Sequence, residues 1–375
     1  MSWLDVTYRV RAAPAELDAV ATAIALEQSV EVPAEVIRDA FVAENIVGRV
    51  DEVRRGADGV HQVRIRLATA TTGFDVAQTL NMMFGNSSMH DHVELVDVEF
   101  PPDFVARFAG PRFGIQGIRE LLGADTRPLT CAALKPQGLA PERLAALCHT
   151  LTLAGVDIIK DDHGLADQSY APFAARVAAC QRAVARAQRE TGRTTLYAPN
   201  LVGSPRTLSA QAQIARSEGA QMVLLAPALV GMPAFAELVS EELDVPVLAH
   251  PSYAGAARVA PPFLLGKWFR LLGADAVVFP NFRGRFAYSE QVCAGIARNA
   301  RAPWANLRPA LPVPAGGVIV ERSRELVHFY GADVMILIGG SLLKAGDRLL
   351  ERTQAFVAAV HDSAAEIVPV AAATA

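Results

Sequence analysis

The stretch "GVDIIKDDHG" (Gly155–Gly164) joins an apolar run directly to a lysine, two aspartates and a histidine. An apolar run of this length that ends in polar residues is typical of a buried parallel strand. Stretches with helical spacing separate it from seven further runs that end in Gly, Pro, Asn or a charge: "TCAALKPQG", "TTLYAPNLVG", "AQMVLLAPAL", "VPVLAHPS", "ADAVVFPNF", "ALPVPAGG" and "DVMILIGG". Eight strand-helix units predict an α/β fold with a C-terminal (β/α)8 barrel, over residues 129–375. A doubly wound sheet is the alternative, but it does not normally need eight near-equal units.

The first part of the chain has a different pattern. "LDVTYRVRA", "HQVRIRLAT" and "HVELVDVEF" alternate like half-buried strands, whereas "PAELDAVATAIALEQ" and "DVAQTLNMMFG" have helical spacing. We therefore predict a small α+β domain of the ferredoxin-like type over residues 1–103. Pro and Gly punctuate a helical pattern in residues 104–128, which predicts a connector before the barrel.

Composition narrows the class of protein. The chain has 375 residues, of which 51% are hydrophobic and 20% charged, and its formal net charge is -4, as in ordinary globular proteins. Lys and Arg are scattered, so we expect no nucleic-acid partner. No apolar run approaches the roughly 20 residues that span a bilayer, and "MSWLDVTYRV" lacks the basic start of a secretory signal. We expect a cytoplasmic protein without a membrane segment, whose four cysteines stay reduced and pack as small hydrophobes.

The polar end of the opening stretch has the composition of a metal site. Alternate residues leaving a strand point to the same side, so Lys160 and Asp162 converge while Asp161 points elsewhere, and His163 enters the loop. Asp162 and His163 are ligands for a divalent cation. Lys160 fits beside a cation if its amine is carbamylated, which requires a neutral amine of the kind that burial favours. The alternative is a Lys-Asp ion pair with a capping aspartate.

Two more strand ends carry candidate catalytic side chains. Lys135, in "LKPQG", ends the first barrel strand and can carry a proton at a substrate carbon if its pKa is depressed. The alternative is a surface lysine. His250, in "LAHPS", ends the fifth strand and either contacts substrate or is a satisfied core histidine.

Glycine pairs end the last two strands. "PAGG" contains Gly316 and Gly317, and "IGGS" contains Gly339 and Gly340. Such pairs let backbone N–H groups approach an anion, and a helix beginning near Ser341 adds its positive end, so a phosphate is expected there. A lone glycine pair would indicate only a tight turn.

The loop after the sixth strand is basic. "FRGRF" carries Arg283 and Arg285, which can cover an anionic substrate because a guanidinium matches phosphate or carboxylate with forked hydrogen bonds. The alternative is a solvated charged turn.

Together these motifs resemble the RuBisCO large-subunit superfamily over nearly the whole chain. "GVDIIKDDH" resembles its metal-site signature, which normally reads KDDE. "LKPQG" resembles its first catalytic-lysine motif, "FRGRF" its mobile loop six, "ALEQS" its N-terminal glutamate segment and "MMFGNSS" its asparagine segment. The resemblance implies an α+β domain followed by a (β/α)8 barrel, in agreement with the patterns above.

The resemblance also implies roles for individual residues. It implies a CO2-derived carbamate on Lys160, with Asp162 and His163 as the other ligands of Mg2+, and Lys135 as the residue that moves a proton at an enolising carbon. It implies a homodimer or larger homo-oligomer, because the family's N-terminal glutamate and asparagine serve the partner's site. It further implies that His250 contacts the substrate and that a partner subunit contributes Glu27 and Asn86. The phosphate site that it implies consists of Gly317, Gly339 and Gly340.

Departures from the family pattern decide the expected function. The second lysine is Gln137, loop six offers Arg285 in place of a lysine, and Pro251 and Val278 stand where the family has the arginine and histidine of a distal phosphate site. His163 also replaces the glutamate ligand. The resemblance therefore implies a RuBisCO-like, form IV protein that does not fix carbon dioxide and takes a substrate with one phosphate.

Such a site is equipped to stabilise an enediolate. Our first expectation is an enzyme of carbohydrate catabolism acting on a phosphorylated sugar acid, such as a decarboxylase or transcarboxylase/hydrolase of a 3-oxo-isoapionate 4-phosphate-like compound, because two loop-six arginines suit a carboxylate. The alternative is a 5-methylthioribulose-1-phosphate isomerase or enolase of methionine salvage, whose methylthio tail would need an apolar pocket. A non-catalytic ligand-binding descendant is the third reading, but it has no need to retain both Lys135 and Lys160.

Overall fold

The computed structural model describes residues 2–286 and 288–366. Over these residues the strands are β1 Trp3–Arg11, β2 Arg49–Arg54, β3 Val60–Ala68, β4 Val93–Glu99, β5 Leu129–Ala133, β6 Ile158–Lys160, β7 Leu196–Ala198, β8 Val223–Leu225, β9 Val247–Ala249, β10 Ala276–Pro280, β11 Leu311–Ala315 and β12 Met335–Ile338. The α-helices are α1 Leu17–Glu27, α2 Ala40–Asn45, α3 Val76–Phe84, α4 Pro102–Val105, α5 Gly114–Leu122, α6 Pro141–Leu153, α7 Phe173–Thr191, α8 Pro205–Ser217, α9 Pro227–Val230, α10 Met232–Glu237, α11 Phe269–Leu271, α12 Glu290–Arg301, α13 Ser323–Tyr330, α14 Gly340–Leu343 and α15 Leu349–His361.

These elements form two compact units. The first comprises the residues up to Ala109 together with Tyr253–Leu264 and Trp304–Asn306. The second comprises Gly110–Ser252, Leu265–Pro303 and the residues from Leu307 onward. The first unit thus includes two short segments that lie far along the chain from the rest of it.

An antiparallel sheet forms the centre of the first unit, with strand order β2-β3-β1-β4. Helix α1 connects β1 to β2 and helix α3 lies between β3 and β4, which is the βαββαβ order of a ferredoxin-like fold. Alternation in β1 buries one face of the sheet through Leu4, Val6, Tyr8 and Val10. The expected ferredoxin-like α+β fold is confirmed. Strand β2 was not predicted, because its exposed, charge-rich sequence has no period of two.

The second unit is built on eight parallel strands. They pair in the orders β12-β5-β6-β7 and β8-β9-β10-β11, a bridge between Asn200 and Leu224 links β7 to β8, and β11 lies beside β12. The last strand pairs with the first of the eight, with Ile338 opposite Ala132, so the sheet closes on itself. A (β/α)8 barrel is confirmed, and the doubly wound alternative is wrong because it would leave two open edges.

Alternate residues of these strands fill the barrel. The interior side chains include Leu129, Cys131, Ala133, Ile158, Leu196, Ala198, Leu248, Val278 and Leu337. Helix α5 packs against them through Ile115, Ile118 and Leu122. Its backbone N–H groups at Gly114 and Ile115 donate to Asp275 and Pro309, which precede β10 and β11. Because α5 closes the N-terminal end of the barrel, the C-terminal end is left for a site.

The predictions on cysteines and membrane segments concern the same described residues. Cys131, Cys148, Cys180 and Cys293 are buried and free, as expected. Across residues 2–286 and 288–366, no helix has the length and apolar character that crossing a bilayer requires.

Candidate active site

The alternation inside the barrel places polar side chains at its C-terminal end. Ala133, Ile158 and Leu248 face the barrel interior. Side chains two or four residues further along the chain point to the same side, because side chains alternate along a strand. Those residues are Lys135, Lys160, Asp162 and His250. Asp161 has the opposite parity and its carboxylate bonds to Arg176 and Tyr197, outside the barrel interior.

Asp162 is the centre of this group. Its Oδ1 lies 2.7 Å from the Lys135 Nζ and 3.2 Å from the His163 Nδ1. Although burial opposes ionisation, hydrogen bonds from His163 and Lys135 and the nearby Lys160 charge hold the pKa of the Asp162 carboxyl well below its usual range. Asp162 is therefore held as an anion between a lysine and a histidine side chain. Asp162 pairs with Lys135, from the end of β5, whereas the alternative reading paired an aspartate with Lys160.

Lys160 is almost completely buried. Its side chain is 2% exposed and its Nζ donates to the carbonyl oxygen of Asp161 at 2.6 Å. Burial is the main cause of a lowered pKa for Lys160, and the neighbouring Lys135 adds to it, whereas Cys131, Asp162 and Asp161 oppose it. The environment thus shifts this amine towards the neutral form, which is the form that reacts with carbon dioxide.

His250 and His163 stack face to face, with ring centroids 4.1 Å apart and an interplanar angle of 16°. The Nδ1 of His250 accepts a hydrogen bond from the backbone N–H of Ser252 at 3.2 Å and lies 2.9 Å from the Ser252 hydroxyl oxygen. Burial, followed by the charges of Lys160 and His163, lowers the pKa of His250 well below its usual value. A neutral ring that accepts at Nδ1 carries its proton on Nε2, so His250 is a hydrogen-bond donor at that atom.

The glycine turns after β11 and β12 approach different parts of the site. Gly316 and Gly317 have φ angles of 80° and 96°, which favour glycine. A Cβ on Gly339 would lie 3.7 Å from the Lys135 Cε, so that turn borders the lysine. Gly340 begins a helix of only four residues, so the expected contribution of a helix dipole near Ser341 is small. Phosphate binding by the backbone N–H groups of these two turns stays a prediction.

The two arginines of loop six have different surroundings. The backbone N–H of Arg285 donates to the Gly316 carbonyl at 3.0 Å, and its guanidinium lies over the Phe286 ring. The Arg283 guanidinium lies 3.1 Å from a Glu290 oxygen and 3.5 Å from a Glu325 oxygen. The structure therefore brings Arg285 to the Gly316–Gly317 turn, whereas protein carboxylates occupy Arg283. A substrate-binding role for either arginine stays a prediction.

Glu27 and Asn86 lie together within the first unit. The Asn86 amide donates to the Glu27 carboxylate at 2.8 Å and to Glu31 at 3.1 Å. The buried Gln28 side chain joins the two segments, because it donates to the Asn81 and Met82 carbonyls and accepts from the Ser87 N–H. Gln28 was not predicted from the sequence, although its place next to Glu27 in "ALEQS" was a signal.

The donor set for a cation is incomplete without Lys160. Within the described ranges, no three His, Cys, Asp or Glu side chains are grouped so that they could hold a metal ion. Asp162 and His163 supply one oxygen and one nitrogen donor, and a carbamate on Lys160 would supply oxygen. A buried amine shifted towards neutrality beside these two residues fits that requirement.

A closed barrel that gathers two lysines, an aspartate and two histidines at its C-terminal end defines the class of protein as a (β/α)8 barrel enzyme. Residues 114–345 match the family described as ribulose bisphosphate carboxylase large chain, catalytic domain. The chain belongs to this RuBisCO large-chain family.

Relatives place the chain among the RuBisCO-like members. Ribulose bisphosphate carboxylase-like protein 1 of Rhodopseudomonas palustris is 52% identical over 95% of this chain and 96% of its own length. The 5-methylthioribulose-1-phosphate isomerase of Rhodospirillum rubrum is 49% identical over 96% of this chain and 97% of its own length. A crystal structure of a RuBisCO-like protein from Rhodopseudomonas palustris aligns with a TM-score of 0.91 and 47% identity over 96% of this chain and 98% of that one. The expectation of a RuBisCO-like enzyme that is not a carboxylase is confirmed.

Proposed function

We propose that this protein isomerises 5-methylthioribulose 1-phosphate, a ketose with a single phosphate and an apolar tail. The observation that carries the proposal is the isomerase relative, which is 49% identical along nearly the full length of both chains. The local geometry supports it: a lysine amine, a histidine N–H donor and two glycine turns belong to the same end of the barrel.

The contacts of loop six favour this reading over the sugar-acid reading. That expectation depended on two arginines for a substrate carboxylate, but the Arg283 guanidinium already pairs with Glu290 and Glu325. Arg285 is the loop-six arginine whose backbone bonds to the Gly316–Gly317 turn, and one cation at that turn suits one phosphate. The comparisons support the methylthioribulose alternative, and action on a sugar-acid phosphate stays an untested prediction.

Isomerisation moves a proton and leaves the formula of the substrate unchanged. A base removes a proton from the hydroxyl-bearing carbon beside the carbonyl, and the electron pair of that C–H bond forms the C=C bond of an enediolate. A proton then adds to the former carbonyl carbon while the neighbouring hydroxyl loses its proton, so the carbonyl moves by one carbon. We assign the proton transfer to Lys135 and the stabilisation of the enediolate oxygen to the Nε2–H of His250. Backbone N–H groups of Gly317, Gly339 and Gly340 hold the phosphate.

Lys160, Asp162 and His163 are the residues that would hold Mg2+, with the carbamate and the aspartate as the oxygen donors. When bound, the cation would polarise the substrate carbonyl and so make the neighbouring C–H more acidic. Lys160 contributes by presenting a buried amine whose pKa is lowered, and Asp162 by remaining ionised.

Steady-state kinetics test the proposal. We expect the protein to isomerise 5-methylthioribulose 1-phosphate in an assay monitored by NMR. The kcat/KM should be at least about 100-fold above that for a phosphorylated 3-oxo sugar acid, and ribulose 1,5-bisphosphate should not be turned over. The physical reason for the last result is that a second dianion next to Pro251 and the buried Val278 would lose its water and gain no hydrogen bonds. Preferential turnover of the sugar acid would contradict the proposal.

Replacing Arg285 distinguishes a phosphate contact from a carboxylate contact. If Arg285 helps to hold the single phosphate, Arg285→Ala should weaken the binding of 5-methylthioribulose 1-phosphate and of a sugar-acid phosphate equally, and raise KM for each about tenfold. Arg283→Ala is the matched control on the same loop, and we expect little change because its guanidinium pairs with Glu290 and Glu325. A selective loss for the sugar acid would indicate that Arg285 binds a carboxylate.

We further propose that the protein acts as at least a homodimer, in which Glu27 and Asn86 serve the barrel of the partner subunit. The hydrogen bond between them and the Gln28 contacts hold the pair in a fixed arrangement. Twofold symmetry supplies such a pair to each of two sites reciprocally.

Mixing two inactive variants tests shared sites. Glu27→Gln and Lys135→Ala should each be inactive alone, because each change affects every site of its own homodimer. After subunits exchange at equal concentrations, half of the dimers are mixed and each mixed dimer has one intact site, so activity should recover to about a quarter of the wild-type value. No recovery despite subunit exchange, or an active monomer in sedimentation, would contradict shared sites.

A further inference from the structure

Asp161, between the two proposed metal-site residues Lys160 and Asp162, is fully buried and has a separate set of contacts. Its Oδ1 accepts from the Tyr197 hydroxyl at 2.7 Å. Its Oδ2 accepts from the Arg176 Nε and from the Asn200 backbone N–H, each at 3.0 Å. The Asp161 carboxylate therefore joins β6 to α7 and to the end of β7.

Two of these partners reach the loop that follows β6. The Arg176 Nη1 donates to the carbonyl oxygens of Ala166 and Ala171, at 2.7 and 2.8 Å. The Asn200 side-chain amide donates to the carbonyl oxygens of His163 and Leu165, at 3.1 and 2.8 Å. Residues 162–171, which include Asp162 and His163, are thus held at four carbonyl oxygens by two buried side chains.

We propose that Asp161, Arg176 and Asn200 form a positioning clamp that fixes the backbone of the Asp162–His163 segment for cation binding. The inference rests on the proposed function, because it takes Asp162 and His163 as cation ligands. It assigns no contact with substrate to the clamp. Its role is to order the loop before the cation binds, so that the loop loses less conformational entropy on binding.

Burial explains why the clamp is rigid. Arg176 and Asp161 are both fully buried in their ion pair, and a buried pair resists separation because each charge would lose its compensation in a medium of low polarity. Asn200, 2% exposed, is the member that contacts the His163 carbonyl directly. Its side chain can be removed without breaking the ion pair, since the backbone N–H of residue 200 still donates to Asp161.

Asn200→Ala tests the inference in the full-length protein. We expect its Mg2+ dissociation constant, measured by calorimetric titration in bicarbonate buffer, to rise about tenfold over the wild-type value. Gln211→Ala is the matched control: Gln211 is equally buried, but its Oε1 accepts from the Val202 N–H in the next loop, at 2.8 Å. The control should bind Mg2+ as the wild type does and lose similar thermal stability.

Hydrogen exchange provides a second readout that needs no metal. Amides of residues 162–171 should exchange faster in Asn200→Ala than in Gln211→Ala. Wild-type Mg2+ affinity in a folded Asn200→Ala variant would overturn the clamp while leaving the proposed function intact, whereas absence of Mg2+ binding by the wild type would overturn both. If Asn200→Ala does not fold, Asn200→Ser, which is too short to reach both carbonyls, replaces it with the same expected result.

Discussion

Replacing Lys135 with alanine is expected to lower kcat for the isomerisation of 5-methylthioribulose 1-phosphate by a factor of about 10² to 10⁴, the usual contribution of a positioned acid or base. The Lys135 Nζ is 2.7 Å from Asp162, and its side chain is bordered by Gly339 of the expected phosphate turn. The group is therefore placed between the proposed cation ligand and the proposed phosphate site, where the reacting carbons of a short ketose phosphate would lie.

The exchange of substrate hydrogen with solvent deuterium distinguishes a role of Lys135 in proton transfer from a role in substrate binding. Lys135→Ala should lose exchange and turnover together, with KM little changed. Lys344→Ala is the control, because Lys344 is an exposed lysine shortly after the same glycine turn. Unchanged exchange in Lys135→Ala would show that another group removes the proton.

Replacing Lys160 with alanine should weaken Mg2+ binding by on the order of 100-fold or more, because the change removes a proposed ligand. In the proposed reaction of the wild type, the neutral amine would add carbon dioxide: a nitrogen–carbon bond would form, one proton would leave to solvent, and the product would be an anionic carbamate. The lowered pKa of Lys160, caused mainly by burial, favours the reactive amine. The affinity of the wild type for Mg2+ should therefore increase with bicarbonate concentration, and that of Lys160→Ala should not.

A carbamate is directly observable with 13C-labelled bicarbonate. We expect one carbamate resonance per chain in the wild type and in Lys135→Ala, and none in Lys160→Ala. A wild-type protein that binds Mg2+ tightly without that resonance would rule out the carbamate and leave Asp162 and His163 as ligands of a different kind of site.

Local patterns were sufficient to predict the barrel and the convergence of its polar side chains. Period-two alternation within each strand determines which residues face the interior, so Lys160 and Asp162 could be placed together and Asp161 apart from them. Strand β2 could not be predicted in this way, because an exposed edge strand with charges on both faces carries no alternation.

Contacts between distant parts of the chain could not be predicted from local patterns. Arg283 pairs with Glu325, 42 residues away, so a protein carboxylate lies where the sequence suggested a substrate carboxylate. The stacking of His163 on His250 depends on how neighbouring strands end, and so does the reach of Asn200 to the His163 carbonyl. Such contacts arise from barrel closure, which brings together loops that no spacing rule relates.

The most direct measurement is the incubation of the full-length protein with 5-methylthioribulose 1-phosphate in D2O containing Mg2+ and bicarbonate. We expect an isomeric ketose phosphate that carries deuterium at the former carbonyl carbon, and loss of both isomerisation and deuterium uptake in Lys135→Ala. Substrate recovered unchanged and without deuterium, from folded wild-type protein with Mg2+ bound, would contradict the proposal that this barrel moves a proton on that ketose.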